Sequence, residues 1–208
     1  VISYQGGLIK DFDGNTLYQQ NLDSKYAKEI IIWARKNSIH INLYINDSLY
    51  VENDNEFIKK YVDGKYIDYR VCSFDDLEFR NVNKILAIDY NNAEKVTSWV
   101  DNLKRIYPDL YIVKSTPYFC EIGSPLAKKS LGVEFLANMW GIKREEILTI
   151  GDQNNDIDLV QAGGVGVAMG NGTPDLKACA TYITDTVQND GFVKAVEKFV
   201  LSSEAKYV

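Results

Sequence analysis

The sequence predicts an α/β chain in two parts, and three observations carry that reading. Short apolar segments alternate with helix-period segments along most of the chain. After residue 129 the alternation runs strand, helix, strand, helix, the pattern of a parallel sheet with crossover helices. A Gly123-Ser124-Pro125 break separates that stretch from the strands and helices before it, and glycine with proline fits a hinge.

Taken in order, Val1 to Lys10 and Thr16 to Gln20 read as strands flanking Asp11-Phe12-Asp13-Gly14-Asn15, whose Asp-Gly pair signals a hairpin turn. Ser24 to Asn37 sets Ala27, Ile30, Ile31 and Ala34 at helical spacing, with Ser24 as N-cap. Ile39 to Ile45 is a strand. Its lone histidine, His40, lies between apolar neighbours, reads as a surface residue and is given no role. Asp47 to Phe79 is rich in Tyr, Asn and Asp, with a short helix around Glu56 to Val62. Its tyrosines read as scattered half-buried aromatics in preference to a stacking wall for a sugar. Lys84 to Asp89 is a strand, Ala93 to Ile106 an amphipathic helix with Val96, Val100 and Leu103 on one face, and Leu110 to Lys114 a further strand.

Beyond Tyr118 to Ile122 and the Gly-Ser-Pro break, Lys128-Lys129 opens a helix that runs to about Trp140. Ile147 to Ile150 is a strand, Leu159 to Ala162 ends a short helix at Gly163-Gly164, and Val165 to Met169 is the next strand. Pro174 to Ala180 is a helix with Thr173 as N-cap and proline at its first position. Tyr182 to Thr184 is a short strand and Gly191 to Leu201 the terminal helix.

Composition bounds the function. At 208 residues, 46% hydrophobic and 25% charged, the chain is long enough for one sizeable core or two modest ones. A net charge of -6 without a Lys/Arg cluster argues against nucleic acid or an anionic membrane as partner. Cys72, Cys120 and Cys179 are odd in number and form no CxxC pair, so neither a disulfide framework nor a zinc site is indicated, and a cytoplasmic setting is expected. No apolar run has the length of a membrane span.

The informative stretch is Ile147 to Leu159. Apolar Ile147-Leu148-Thr149-Ile150 runs into Gly151-Asp152, and Asn155, Asp156 and Asp158 follow. In parallel sheets ligands gather beyond the carboxyl ends of strands, which is where these acids fall. Close carboxylates repel unless solvated, hydrogen-bonded or bound to a cation. A hard cation such as Mg²⁺, held by one or two carboxylates, waters and a phosphate, resolves that repulsion. The alternative is a solvated turn in which Asn155 or Asp156 caps the next helix. Lys128 and Lys129 bear on the choice: lysines at a helix start oppose the dipole unless an anion is near. An ammonium and a carboxylate-bound Mg²⁺ are what a transferring phosphoryl group needs.

The segment from Lys129 through GIKREEILTIGDQNNDIDLVQAGGVGVAMGNGTPDLKACATYIT to NDGFVKAVEKF resembles the C-terminal half of the haloacid dehalogenase superfamily, specifically its Cof-type sugar-phosphate phosphatases. ISYQGGLIKDFDGNTLY is similar to the stretch leading from that family's core into its cap, and LYINDSLYVEND and STPYFCEI are similar to its α/β cap. The resemblance implies an incomplete Rossmann-like core from residues 1–19 and 118–208 with an inserted α/β cap at 20–117. It makes Lys129 the phosphate-binding lysine and Asp152 a Mg²⁺ ligand, with Asn155 and Asp156 supporting metal and phosphate and Asn171 behind them. Where the family has glycine after the lysine, this chain has Ser130.

The family also begins with a strand ending in DxDGT, whose first aspartate is the nucleophile and second the general acid/base. Asp11 to Thr16 imitates that motif with one residue inserted, but Lys10 precedes it and too little chain would remain for a cap, so the hairpin reading is kept and no residue is named as nucleophile. Upstream residues are expected in the natural protein, because a parallel sheet without its central strands exposes apolar faces and edges. The expected activity is Mg²⁺-dependent hydrolysis of a small phosphomonoester through an aspartyl-phosphate, by a monomer or weak homodimer. A homologue that holds phosphate or metal without turnover is the alternative.

Overall fold

The computed structural model describes residues 1–202. It divides into two units, Val1–Ala127 and a second beginning at Lys128.

The first unit opens with β1 (Ile2–Ser3), β2 (Leu8–Lys10) and β3 (Thr16–Gln19), a small antiparallel sheet in which Ile2 faces Ile9 and Ile9 faces Tyr18. Val1 to Lys10 is therefore a hairpin and not the single strand expected. Tyr4, Gln5 and Gly6 take φ of 50°, 57° and 90°, so the chain reverses at residues the strand pattern had absorbed. The Asp11–Asn15 turn is as expected: the Asp11 carboxylate accepts from the amides of Asp13 (3.0 Å) and Asn15 (2.8 Å), and Gly14 takes φ 85°.

A six-stranded sheet follows, interleaved with three helices. The elements are α1 (Ser24–Lys36), β4 (His40–Ile45), β5 (Ser48–Val51), α2 (Glu56–Val62), β6 (Tyr69–Val71), β7 (Val82–Ile88), α3 (Ala93–Ile106), β8 (Tyr111–Thr116) and β9 (Phe119–Gly123). The strand order is β6-β5-β4-β7-β9-β8, with only β5 and β6 parallel. The N-cap of α1 is Asp23, whose carboxylate accepts from the Lys25 amide, one residue earlier than the expected Ser24. Ala27, Ile30, Ile31 and Ala34 of α1 and Val96, Val100 and Leu103 of α3 share one core with Ile41, Leu43, Ile85 and Ile122 of the sheet. A second apolar cluster, Tyr44, Leu49, Leu86 and Ile88, takes Ile58 from α2. Because β9 pairs with β7 and β8 within this sheet, the sheet runs past residue 117, where the cap was expected to end, and residues 1–19 fall in the same compact unit. His40 also departs from expectation. It is half-buried and stacked on Phe57, with ring centroids 5.5 Å apart, because α2 brings Phe57 alongside β4.

The second unit is a parallel α/β half-domain: α4 (Lys129–Trp140), β10 (Leu148–Gly151), α5 (Ile157–Ala162), β11 (Val165–Ala168), α6 (Pro174–Cys179), β12 (Tyr182–Ile183) and α7 (Gly191–Val196). All three strands are parallel in the order β10-β11-β12, with Gly151 beside Ala168. The Thr173 hydroxyl accepts from the Leu176 amide, the cap expected for α6. The terminal helix keeps α geometry only to Val196; Glu197–Leu201 widens into a π turn. Val160, Ala168 and Leu176 centre the core of this unit. No helix among the described residues is long and apolar enough to cross a membrane.

Candidate functional site

The site forms where β10 ends. Gly151 closes the strand because nothing larger fits there: a Cβ at that position would lie 2.5 Å from the Cβ of Asp156. The chain turns through Asn154–Asp156 and enters α5, and this return folds the Asp156 side chain back beneath the turn.

Asp156 is buried at 6% exposure, with both carboxylate oxygens engaged. Lys129 Nζ donates to its Oδ1, and the amides of Asp152 (3.0 Å) and Gln153 (3.2 Å) donate to its Oδ2. Burial alone would push this carboxyl up. The Lys129 ammonium and the two amides outweigh it and hold the group below the usual carboxylate range. Asp156 precedes α5 without capping it by its side chain, but that side chain accepts from the Gln153 amide in a capping box on the turn Asn154–Asp156. Like-charge repulsion is relieved by an ammonium and by amides, not by convergence of the acids on one point. Among the described residues no three His, Cys, Asp or Glu side chains are grouped so as to hold a metal ion.

Asp158 faces another way. Its Oδ2 accepts from the backbone amide of Ser130 at 3.1 Å, which puts a carboxylate at the N-terminal end of α4, where Lys128 makes no side-chain cap. The oddity of lysines at a helix start is resolved by two acids, Asp156 on the Lys129 ammonium and Asp158 on the Ser130 amide. Ser130 donates through its backbone, a bond that does not depend on the side chain.

Asp152 follows Gly151, and its carboxylate has one long partner, Gln153 Nε2 at 3.4 Å. Its lone pairs thus remain for a hard cation. Asn155 adds an amide oxygen in the same turn, with no hydrogen bond to its side chain among the described residues. A carboxylate and an amide oxygen are ligand types that an octahedral Mg²⁺ shell takes, in which water and a phosphate would supply the rest. Asp156, expected beside them, is committed to Lys129.

The loop after β11 closes the site from the other side. The Asp152 carbonyl accepts from the Thr173 amide (3.1 Å), and a Cβ on Gly172 would approach that carbonyl to 3.2 Å. The Asn171 side chain accepts from the Val187 amide (2.9 Å), tying this loop to the segment after β12. Sequence reasoning missed Asn154 and Lys177. The Thr173 hydroxyl donates to Asn154 Oδ1, and Lys177 Nζ donates to the Gly170 carbonyl at 2.6 Å, so each end of this loop is pinned. Asn154 lay inside the acidic motif and its position was the available signal; Lys177 had none.

Comparison with known proteins places these features in company. A family model described as haloacid dehalogenase-like hydrolase matches residues 1–196. The crystal structure of a haloacid dehalogenase-like hydrolase from Bacteroides thetaiotaomicron is similar with 29% identity and a TM-score of 0.79, covering 94% of this chain and 74% of that one. A subclass IIB sugar phosphatase of the superfamily shares the fold at 23% identity and a TM-score of 0.80, covering 95% of this chain and 74% of its own. A phosphatase of Bacillus subtilis is 26% identical over 92% of this chain and 76% of its own length.

Proposed function

The chain belongs to the haloacid dehalogenase-like hydrolase family and is a phosphatase of that type, and from this premise we propose that it handles small phosphomonoesters, sugar phosphates among them, with Mg²⁺ as cofactor and an aspartyl-phosphate intermediate. The observation that carries the proposal is the Lys129–Asp156 pair at the end of β10, beside a carboxylate, Asp152, left open to a cation.

In this reading Lys129 is the phosphate-binding group. One of its three donors is fixed by Asp156, which aims the ammonium and leaves the other donors for phosphate oxygens. Asp156 acts through Lys129. Because its oxygens are held by Lys129 and the amides of Asp152 and Gln153, it supplies a fixed counter-charge that needs no rearrangement as phosphate charge shifts. Asp152, with Asn155, would hold Mg²⁺, which when bound neutralises the phosphoryl oxygens and orients them. Asn171 ties the loop after β11 to Val187, while the Thr173 amide of that loop bonds the Asp152 carbonyl. The six-stranded sheet of the first unit is proposed as the cap. No residue of this sequence is assigned to attack phosphorus, since Asp11 serves a hairpin turn.

A paired assay tests the reading: phosphate release from a panel of sugar phosphates with Mg²⁺, and binding of inorganic phosphate, by this chain and by a form extended at its N-terminus to the length of the relatives. Release by the extended form, abolished by Lys129→Ala, supports the enzyme. Phosphate binding without release by either form supports a non-catalytic binder. Absence of both sinks the phosphate reading itself.

A further inference from the structure

His40, the sole histidine of the chain, sits in a hydrogen-bond relay whose direction is fixed at one end. Asn55 caps α2: its Oδ1 accepts from the amides of Phe57 (3.0 Å) and Ile58 (3.3 Å). Only an oxygen can receive those amides, so the Asn55 Nδ2 must point the other way. There it meets His40 Nδ1 at 3.1 Å, which must then be the acceptor. The proton of the neutral ring lies on Nε2, facing Asn42 Oδ1 at 2.9 Å. Asn42 is fully buried on β4. The relay thus accepts an imidazole and has no place for an imidazolium, whose Nδ1–H would oppose the Nδ2–H of Asn55.

We propose that neutral His40 is a pH-dependent lock on α2, holding Asn55 as its N-cap, and that protonation turns Asn55 away from the helix and loosens it. The helix it governs carries Phe57, stacked between His40 and Tyr90, Lys60, whose ammonium lies 4.3 Å from the Tyr90 ring centroid, and Tyr61, whose hydroxyl accepts from Tyr44 at 2.7 Å. Releasing α2 therefore disturbs the whole aromatic layer on that face of the sheet. The charged groups lining the same hollow of about 380 Å³ are Arg35 from α1 and Glu52 after β5, and they are paired with each other at 2.6 Å. Neither offers the ring a counter-charge. Burial lowers the His40 pKa, against a smaller opposing effect of its bond to Asn42. With the folded-state value below the unfolded one, the stabilisation is complete above the ordinary imidazole value of about 6.5 and is lost as pH falls below it.

With one histidine, long-range proton–nitrogen NMR reads the ring directly. The expected result at pH 8 is the Nε2–H tautomer, with a titration midpoint below about 6.5. Hydrogen-exchange protection of the Phe57 and Ile58 amides, corrected for intrinsic rate, should fall about fivefold as His40 titrates, the loss expected when a cap is removed. Amides of α3 should not respond. His40→Gln should abolish this pH dependence. In Asn55→Asp a carboxylate both caps α2 and welcomes the imidazolium, so the midpoint should rise above the wild-type value. An Nδ1–H tautomer in the wild-type chain, which requires no variant to fold, overturns the proposal. So does an unchanged pH dependence in His40→Gln or an unmoved midpoint in Asn55→Asp.

Discussion

Two pairs of a lysine and a buried acid, one taken from each unit, differ in what else holds the acid. In the first unit Lys84 Nζ donates to Glu121 Oε2 at 3.0 Å, across neighbouring strands β7 and β9, with Gln5 Nε2 at 3.3 Å as a further donor. In the second, Lys129 donates to Asp156 at the end of a parallel strand, and two backbone amides share the load. Both carboxyls are pushed up by burial and held below the usual range by their lysines. The acid in the sheet has only side chains to neutralise it. The acid in the loop is also held by backbone donors that no side-chain substitution removes, which leaves its lysine free to serve something besides stability.

The largest effect should follow from breaking the pair in the sheet. Lys84→Met leaves Glu121, at 7% exposure, without its counter-charge, and removing one partner of a buried ion pair costs about 3–5 kcal/mol. The ammonium also lies 5.3 Å from the centroid of the Tyr44 ring, and the methionine gives up that cation–π attraction too. The double variant Lys84→Met, Glu121→Leu should recover most of the stability, because no charge is left stranded. Urea midpoints of the two variants settle the point: a double variant as unstable as the single would show that shape, not charge, is what the site needs.

A smaller loss is expected from Lys129→Ala, about 1.5–3 kcal/mol for one hydrogen bond to a charged group, because the Asp152 and Gln153 amides still hold Asp156. Its binding of inorganic phosphate should disappear altogether. This separation of a modest stability loss from a complete binding loss is the sharpest form of the comparison. If Lys129→Ala were as destabilising as Lys84→Met, the backbone amides would not be doing the neutralising assigned to them.

The two pairs were also unequally legible in the sequence. Asp152, Asn155 and Asp156 sit within one turn, behind a glycine that ends an apolar run, and such local spacing survives folding; Lys128 and Lys129 were raised by their place at a helix start, and the family resemblance chose Lys129. What sequence could not supply was direction. Three acids in seven residues read as a cation seat, whereas Asp156 turns inward to Lys129 and Asp158 across to α4. Lys84 and Glu121 are 37 residues apart and meet only because β7 pairs with β9, a register that no motif announces. The same limit applied to the elements. Ala93–Ile106 was readable to the residue from its 3.6-residue period. The reversal at Tyr4–Gly6 was not, since non-glycine residues carry two of its positive φ angles. The β4–β5 hairpin had a signal, Asn46-Asp47 at φ 50° and 62°, that went unread inside a polar stretch.

The smallest effect concerns caps, and it repeats the contrast between local and distant partners. Asp23 caps its own helix, accepting from the Lys25 amide at 2.7 Å, whereas Asp158 caps α4 from another helix, accepting from the Ser130 amide. An acid near a helix N-terminus contributes about 0.3–1 kcal/mol through the dipole at low salt, whichever segment supplies it. Asp158→Asn keeps an acceptor and removes only the charge, so it should cost that amount, and the cost should fade as salt is raised. Asp158→Ala removes the acceptor as well and should approach the loss of about 1 kcal/mol expected for Asp23→Ala. Because the Asp158 bond falls on the residue next to Lys129, its loss should also weaken phosphate binding, which Asp23→Ala, in the other unit, should leave untouched. Thermal unfolding and phosphate titration of the three variants measure both quantities. Equal phosphate affinity in Asp158→Ala and the parent chain would reduce Asp158 to an ordinary cap and leave the aim of Lys129 to Asp156 alone.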